Sequence, residues 1–108
     1  MPLSESGTAA TGGTSFVPLR MLSPVEVEAK TTASTIADAN SNRRGITVYN
    51  SSPGNLYIDY VSGVSPESFM VRIPAGAYWE APYGCMDALW GVFDVTEGAA
   101  QVRQFLRR

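Results

Sequence analysis

With no histidine and one cysteine in 108 residues, the chain lacks the commonest general acid–base, the usual activator of a nucleophile and the commonest metal ligand. Eight basic and ten acidic residues give a net charge of −2, and no basic stripe is present to neutralise a nucleic-acid backbone. The length suits one domain with an appendage, and no apolar run approaches the roughly 18 residues that mark a membrane-spanning helix.

Met1 to Ser15 reads MPLSESGTAATGGTS, which is small, polar and without periodicity. It lacks the basic region and apolar stretch of a secretory signal. Such a segment cannot bury its own apolar surface and is expected to order only against something else. Phe16 to Leu22 is a short apolar patch broken by Pro18, which has no N–H to give a central ladder. This patch is expected to lie along a neighbouring molecule or along the edge of its own sheet. Residues 1–24 are therefore read as an extended N-terminal arm and residues 25–108 as the folded domain.

Val25 to Ala29 alternates valine with glutamate, so the valines share one face of a strand. The threonine-rich run from Lys30 to Ile36 continues in β-favouring residues, giving one or two strands between Val25 and Ala37. Asp38 to Asn42 (DANSN) is a turn by composition. Arg44 to Asn50 alternates around Ile46 and Val48. Ser51 to Asn55 (SSPGN) has the chemistry of a turn, with glycine supplying positive φ. Leu56 to Val61 then places Leu56, Ile58 and Tyr60 on one face, and these two runs are expected to form a hairpin. Arg43 and Arg44 are read as charges flanking a hydrophobic strand.

After a loop over Ser62 to Pro66, Phe69, Val71 and Ile73 are expected on one face. Pro74-Ala75-Gly76 is a tight turn, and Ala77 to Ala81 puts Trp79 opposite Tyr78 and Glu80. Pro82 to Asp87 is a loop. Ala88 to Val95 (ALWGVFDV) is apolar on both faces, as in a central strand or one whose outer face meets a partner. Thr96-Glu97-Gly98 turns the chain into a last strand from Ala99 to Leu106. Seven or eight short strands at regular spacing predict an all-β fold, an antiparallel β-sandwich or jelly-roll-like domain.

No catalytic, metal-binding or cofactor-binding residues are assigned. Asp87, Asp94 and Glu97 read as turn formers, and Glu26 and Glu28 as a solvated strand face. Cys85 reads as a small buried apolar residue, and with no second cysteine there is no intrachain disulfide. Half or more of the aromatic residues belong to the core of an alternating sheet. The rest serve a protein interface or, less readily, stack on sugar rings.

Four segments, RRGITVYNSS, NLYIDYVSGVS, FMVRIPAGAYWEAP and LWGVFDVTEGAAQV, resemble small structural proteins of tailed bacteriophages over Arg43 to Leu106. The resemblance implies a non-enzymatic decoration, or cement, protein made in the bacterial cytoplasm and carried on the capsid exterior of the virion. Its partners would be the major capsid protein and copies of itself, commonly as a homotrimer, with no nucleic acid and no membrane. Related modules serve as head-completion, tail or baseplate components. The residues expected to meet partners are Phe16, Val17, Leu19, Arg20 and Leu22 of the arm, Trp90, and the terminal pair Arg107 and Arg108.

Overall fold

A computed structural model describes residues 19–82 and 84–108. Among them the alternating runs form nine β-strands: β1 (Leu19–Met21), β2 (Val25–Glu28), β3 (Ser34–Ala37), β4 (Arg43–Asn50), β5 (Leu56–Asp59), β6 (Val71–Ile73), β7 (Tyr78–Glu80), β8 (Leu89–Phe93) and β9 (Ala99–Arg107). Every pairing is antiparallel and no helix is present among these residues. The first sheet runs β1-β9-β4-β7, with β2 also on β9; the second runs β3-β8-β5-β6. The predicted all-β, sandwich-like class holds.

Period-two patterning explains the layering. Ile46 and Val48 of β4 and Ala100 and Val102 of β9 turn inward from the first sheet. They meet Ile36, Leu56, Ile58, Ile73, Leu89 and Phe93 of the second in one buried cluster. Each of these side chains is withdrawn from water, worth about 1.5–3 kcal/mol for a large aliphatic or aromatic group. As expected, Val25 and Val27 pair with the inward residues Val102 and Ala100, leaving Glu26 and Glu28 on the outer face.

The expected hairpin of β4 with β5 does not form. The two strands lie in different sheets, and β4 pairs with β7 and β9 instead. Both runs carry a single apolar face, and they cover the same core from opposite sides. The five-residue connection therefore arches across the core, held by the buried Asn50 side chain, which donates to the carbonyls of Gly54 (2.9 Å) and Ile73 (2.7 Å). The same crossing recurs along the chain: only the β1–β2 and β5–β6 connections stay within one sheet.

Gly54 is also not the positive-φ residue expected of its turn. A Cβ there would lie 2.2 Å from Asp94 Oδ1 and 2.6 Å from Val95 Cγ1, so any larger residue would have to displace those side chains, including the carboxylate that accepts from the Asn55 N–H. Positive φ falls at Gly76 (77°), in the predicted Pro74-Ala75-Gly76 turn, and at Gly98 (87°), before β9. At Gly98 a Cβ would also stand 2.7 Å from Ser52 Cα, a backbone atom that cannot rotate away. Gly98→Ala is expected to cost about 2–3 kcal/mol from left-handed strain plus overpacking. The thermal midpoint should then fall by about 10 °C or more, as calorimetry would show.

Two further expectations are corrected by the packing. Phe69 does not share the core face with Ile73: it precedes β6 and its ring meets outward-facing Tyr57 at a centroid distance of 5.0 Å. Arg43 is not a flanking surface charge but is fully buried. Its Nε donates to Gln104 Oε1 (2.8 Å), Nη1 donates to the carbonyls of Cys85 (3.0 Å) and Asp87 (2.7 Å), and Nη2 donates to the Asp38 carbonyl. This guanidinium ties β9 to the β3–β4 and β7–β8 connections. Cys85 is half-buried in the latter.

Candidate interaction surface

The outer face of the first sheet is built on β9. Its inward residues Ala100, Val102, Gln104 and Leu106 are buried, so Gln101, Arg103, Phe105 and Arg107 alternate outward. On one side of it β1 sets Leu19 opposite Arg107 and Met21 opposite Phe105. On the other side Gly45 lies opposite Phe105. A Cβ at Gly45 would be 3.6 Å from Phe105 Cδ2, so the ring lies over bare backbone. Leu19 and Met21 remain 49% and 51% exposed, and with Phe105 they form an apolar patch that no described element covers.

Two arginines flank this patch on its own face. Arg103 and Arg107 stand on either side of Phe105, whereas Arg20, opposite the inward Leu106, belongs to the other face of β1, and Arg44 is the second residue of β4. The backbone N–H of Arg107 bonds the Asn42 carbonyl at 2.6 Å, which fixes the end of β9 against the β3–β4 connection. Among the described residues the guanidiniums of Arg44 and Arg103 donate to backbone carbonyls, of Ser41 and Arg43 and of Val102 respectively. Beneath them, burial pushes the Arg43 guanidinium below the ordinary arginine range, and Tyr60, Cys85, Asp38 and Asp87 pull it part of the way back.

The opposite end of the same face is acidic. Glu26 and Glu28 border a shallow depression with Ser51, Gly98 and Ala99. Gln101 Nε2 donates to Glu26 Oε2 at 3.0 Å. Across the strands Glu26, Gln101, Tyr49 and Tyr78 stand in one registered row, and both tyrosines are exposed.

The structure thus gathers four of the eight expected contact residues, Leu19, Arg20, Arg107 and Arg108, at one end of one sheet. Leu22 leaves that group. Its N–H bonds the Gln104 carbonyl at 2.9 Å, and its side chain lines a groove with Val25, Val27 and Ile36 between the edges of the two sheets. Trp90 belongs to the second sheet, half-buried between Thr35 and Asp59 on the central strand β8. Phe16 and Val17 lie outside the described residues, as does the rest of the predicted arm before Leu19. Of the two positions expected for the apolar patch, its described part takes the edge of its own sheet. Met21 faces Phe105, but Val25 faces Val102, so β1 and β2 form one edge with an extra residue at the Ser23-Pro24 break.

Sequence reasoning missed Phe105 and Arg103. The signal was the alternation Gln101-Arg103-Phe105-Arg107, which places one aromatic among charges on the solvent face of a strand.

Among the described residues no three His, Cys, Asp or Glu side chains group so as to hold a metal ion, and no helix is long and apolar enough to cross a membrane. Compared with protein-family models, curated proteins and solved structures, the chain matched none.

Proposed function

We propose that this protein is a non-enzymatic structural component of a bacteriophage virion, which binds the outer surface of the capsid and stabilises it. The observation that carries the reading is the Leu19–Met21–Phe105 patch flanked by Arg103 and Arg107. A monomer gains nothing by keeping an apolar centre with a polar rim in water, whereas a protein that docks on a larger surface needs one. A ligand that binds only the assembled lattice stabilises it by mass action. In this reading the two crossed sheets are jelly-roll-like and set position. The residues before Leu19 form an extended arm that reaches a neighbouring subunit, with Phe16 and Val17 as anchors. The major capsid protein is the principal partner. Several joined copies, a homotrimer in the phage proteins the sequence resembles, would multiply weak contacts.

The test is the copy number of the chain in virions purified from the phage or prophage that encodes it, by quantitative mass spectrometry. Hundreds of copies are expected for a decoration protein. A dozen or fewer would assign it to head completion, tail or baseplate, and absence from purified particles would overturn a virion role. On such particles the double variant Leu19→Asp, Met21→Asp is expected to bind about thirtyfold more weakly or worse. That corresponds to the roughly 2 kcal/mol of a central interface contact. Its unfolding midpoint should stay within about 0.5 kcal/mol of the parent, because both side chains are exposed.

A further inference from the structure

The outer face of the second sheet carries an aromatic strip that the docking patch does not use. Leu56, Ile58, Leu89 and Phe93 point into the core, so Tyr57 and Asp59 of β5 and Trp90 and Val92 of β8 alternate outward. The register puts Trp90 between Thr35 and Asp59, and Tyr57 between Val92 and Arg72. Trp90 and Tyr57 are therefore diagonal neighbours, within reach of one another for long aromatic side chains. Phe69 joins them, 41% exposed and with its ring centroid 5.0 Å from that of Tyr57. Val92 points outward yet is only 4% exposed, so the strip rests on a closed apolar floor. The polar groups on this face keep unused capacity. Among the described residues the Trp90 indole N–H and the Tyr57 hydroxyl have no hydrogen-bond partner, and neither is sealed from water. Asp59 Oδ1 accepts from the Tyr60 N–H (2.7 Å), and Oδ2 stays open. Arg72 engages Nη1 alone, donating to Asn55 Oδ1 at 3.4 Å, and Asn55 is itself held by Asp94 at 2.7 and 3.0 Å.

We infer that this face binds a neutral polysaccharide, with pyranose rings laid on Trp90, Tyr57 and Phe69 and their hydroxyls bonded by Asp59 and Arg72. A pyranose presents C–H groups on its faces and hydroxyls around its rim. Aromatic rings, negative on their faces, suit the first. Planar carboxylate and guanidinium groups suit pairs of neighbouring hydroxyls. Charge selects among the ligands that stack. Arg72 stands against two carboxylates here, Asp59 and Asp94. A nucleic acid would also stack on such rings, but its phosphates find no net positive charge to meet them. An apolar protein surface would cover the polar tips of Trp90 and Tyr57 and leave them unpaired, a cost that a hydroxyl-rich ligand avoids. A strip open along its length suits a chain of sugars better than a single one. The site lies on the opposite side of the sandwich from the Leu19–Met21–Phe105 patch, so both can be occupied at once, and it does not depend on the functional reading above.

The test is a titration of the isotope-labelled full chain with cellohexaose, mannohexaose and maltohexaose, read by amide and indole NMR shifts. The two tryptophans serve as probe and control. The Trp90 indole signal should move and saturate with at least one of the sugars. That of Trp79, which packs against the core from β7 of the first sheet, should stay in place. Phe69→Ala and Arg72→Ala should each weaken binding about tenfold, the loss of one stacking or charge-assisted contact. Both side chains are exposed, so thermal melts of these variants should match the parent within a few degrees. Polygalacturonate, an anionic chain of similar shape, should bind more weakly than the best neutral sugar. The inference is overturned by a still Trp90 signal at about 10 mM of every sugar, by equal movement of both indoles, or by tighter binding of polygalacturonate. Unchanged affinity in both exposed variants overturns it as well. So does a two-chain mass in sedimentation equilibrium that reverts to one chain in Tyr57→Ala, which would give the face to a second copy. None of these outcomes bears on whether the chain is found in virions, so the functional reading and this one fail separately.

Discussion

Replacing Arg43 with methionine is expected to destabilise the domain by about 3–5 kcal/mol, much of the ~5–15 kcal/mol that holds such a domain together. The aliphatic stem is matched in length, so the loss isolates the guanidinium. The change strands four acceptors at once: Gln104 Oε1 and the carbonyls of Cys85, Asp87 and Asp38. A buried acceptor left without its donor costs about 1–3 kcal/mol, offset in part by the charge that no longer needs burying. The lowered pKa of this group records that desolvation cost. Its hydrogen-bond acceptors are neutral, so fixed carbonyl dipoles compensate it directly, with nearby Tyr60, Cys85, Asp38 and Asp87 adding favourable charge interactions. Arg43→Lys keeps a charge but not the planar fork, and an ammonium cannot reach acceptors on three separate segments, so a loss of about 2–3 kcal/mol is expected. Urea midpoints for the three proteins check the order. Hydrogen exchange adds a local readout: amides near Asp38–Asn42 and Gly84–Asp87 should lose protection before those of β5, since only the former segments hang on this side chain. Equal loss across both sheets would show that Arg43 holds the fold globally and not the two connections.

Much of the fold was legible because the chain uses period-two alternation consistently. Ile46 and Val48, Leu56 and Ile58, and the Val-Glu-Val-Glu run of β2 announce strands with one wet and one dry face, and the structure places them so. The partner sheet of each strand was not legible. Ser51 to Asn55 has the composition of a hairpin turn and also that of an arch. The difference lies in whether Asn50 points its amide along the ladder or across to Ile73, which depends on β6, some twenty residues further on. Gly54 and Gly98 illustrate the same limit. Both sit in turns of similar composition, yet one is favoured by the close side chains of Asp94 and Val95 and the other is required by its own backbone angle. Arg43 was hidden because an arginine pair at a strand start ordinarily stays in water, and its acceptors are backbone carbonyls, which no sequence pattern marks. At the interaction surface the ends of the strip, Leu19 with Arg20 and Arg107 with Arg108, stood out as unusual local composition. Their adjacency did not, since residues about 90 apart are joined only by the β1–β9 register. Phe105 lies between them in space and reads in isolation as an ordinary member of a closing strand.

Asn50 carries the second large expected effect, and for a change to aspartate its size depends on pH. The side chain is fully buried and uses all its hydrogen-bonding capacity. Nδ2 donates to the Gly54 and Ile73 carbonyls, while Oδ1 accepts from Ser52 N–H (3.0 Å) and Ser52 Oγ (2.6 Å). Its backbone closes the same junction, with its N–H on the Ala77 carbonyl and its carbonyl accepting from Gly76. Asn50→Ala should cost about 3–4 kcal/mol, because the Ile73 carbonyl and the Ser52 amide lose their partner in a buried site and Gly54 keeps only the longer 3.3 Å bond from Ser52 Oγ. Asn50→Asp keeps shape and volume and preserves both acceptor contacts to Ser52. It replaces the two donors with an oxygen facing two carbonyl oxygens. Burial and that repulsion both raise the folded-state pKa of the new carboxyl above its unfolded value of ~3.9. A raised folded pKa means that the folded state binds the proton more tightly. The compensating stability is therefore fully present below about pH 4 and is lost as pH rises through the folded value. At neutral pH this isosteric change should destabilise at least as much as alanine. Near pH 4 the protonated carboxyl donates to one of the two carbonyls, and the deficit against the parent at the same pH should shrink by about 1–2 kcal/mol. Urea midpoints of parent and variant from pH 4 to pH 8 supply the comparison. Parallel curves would mean that the carboxyl escapes to solvent, and that the arch between the two sheets opens without the cross-link its amide provides.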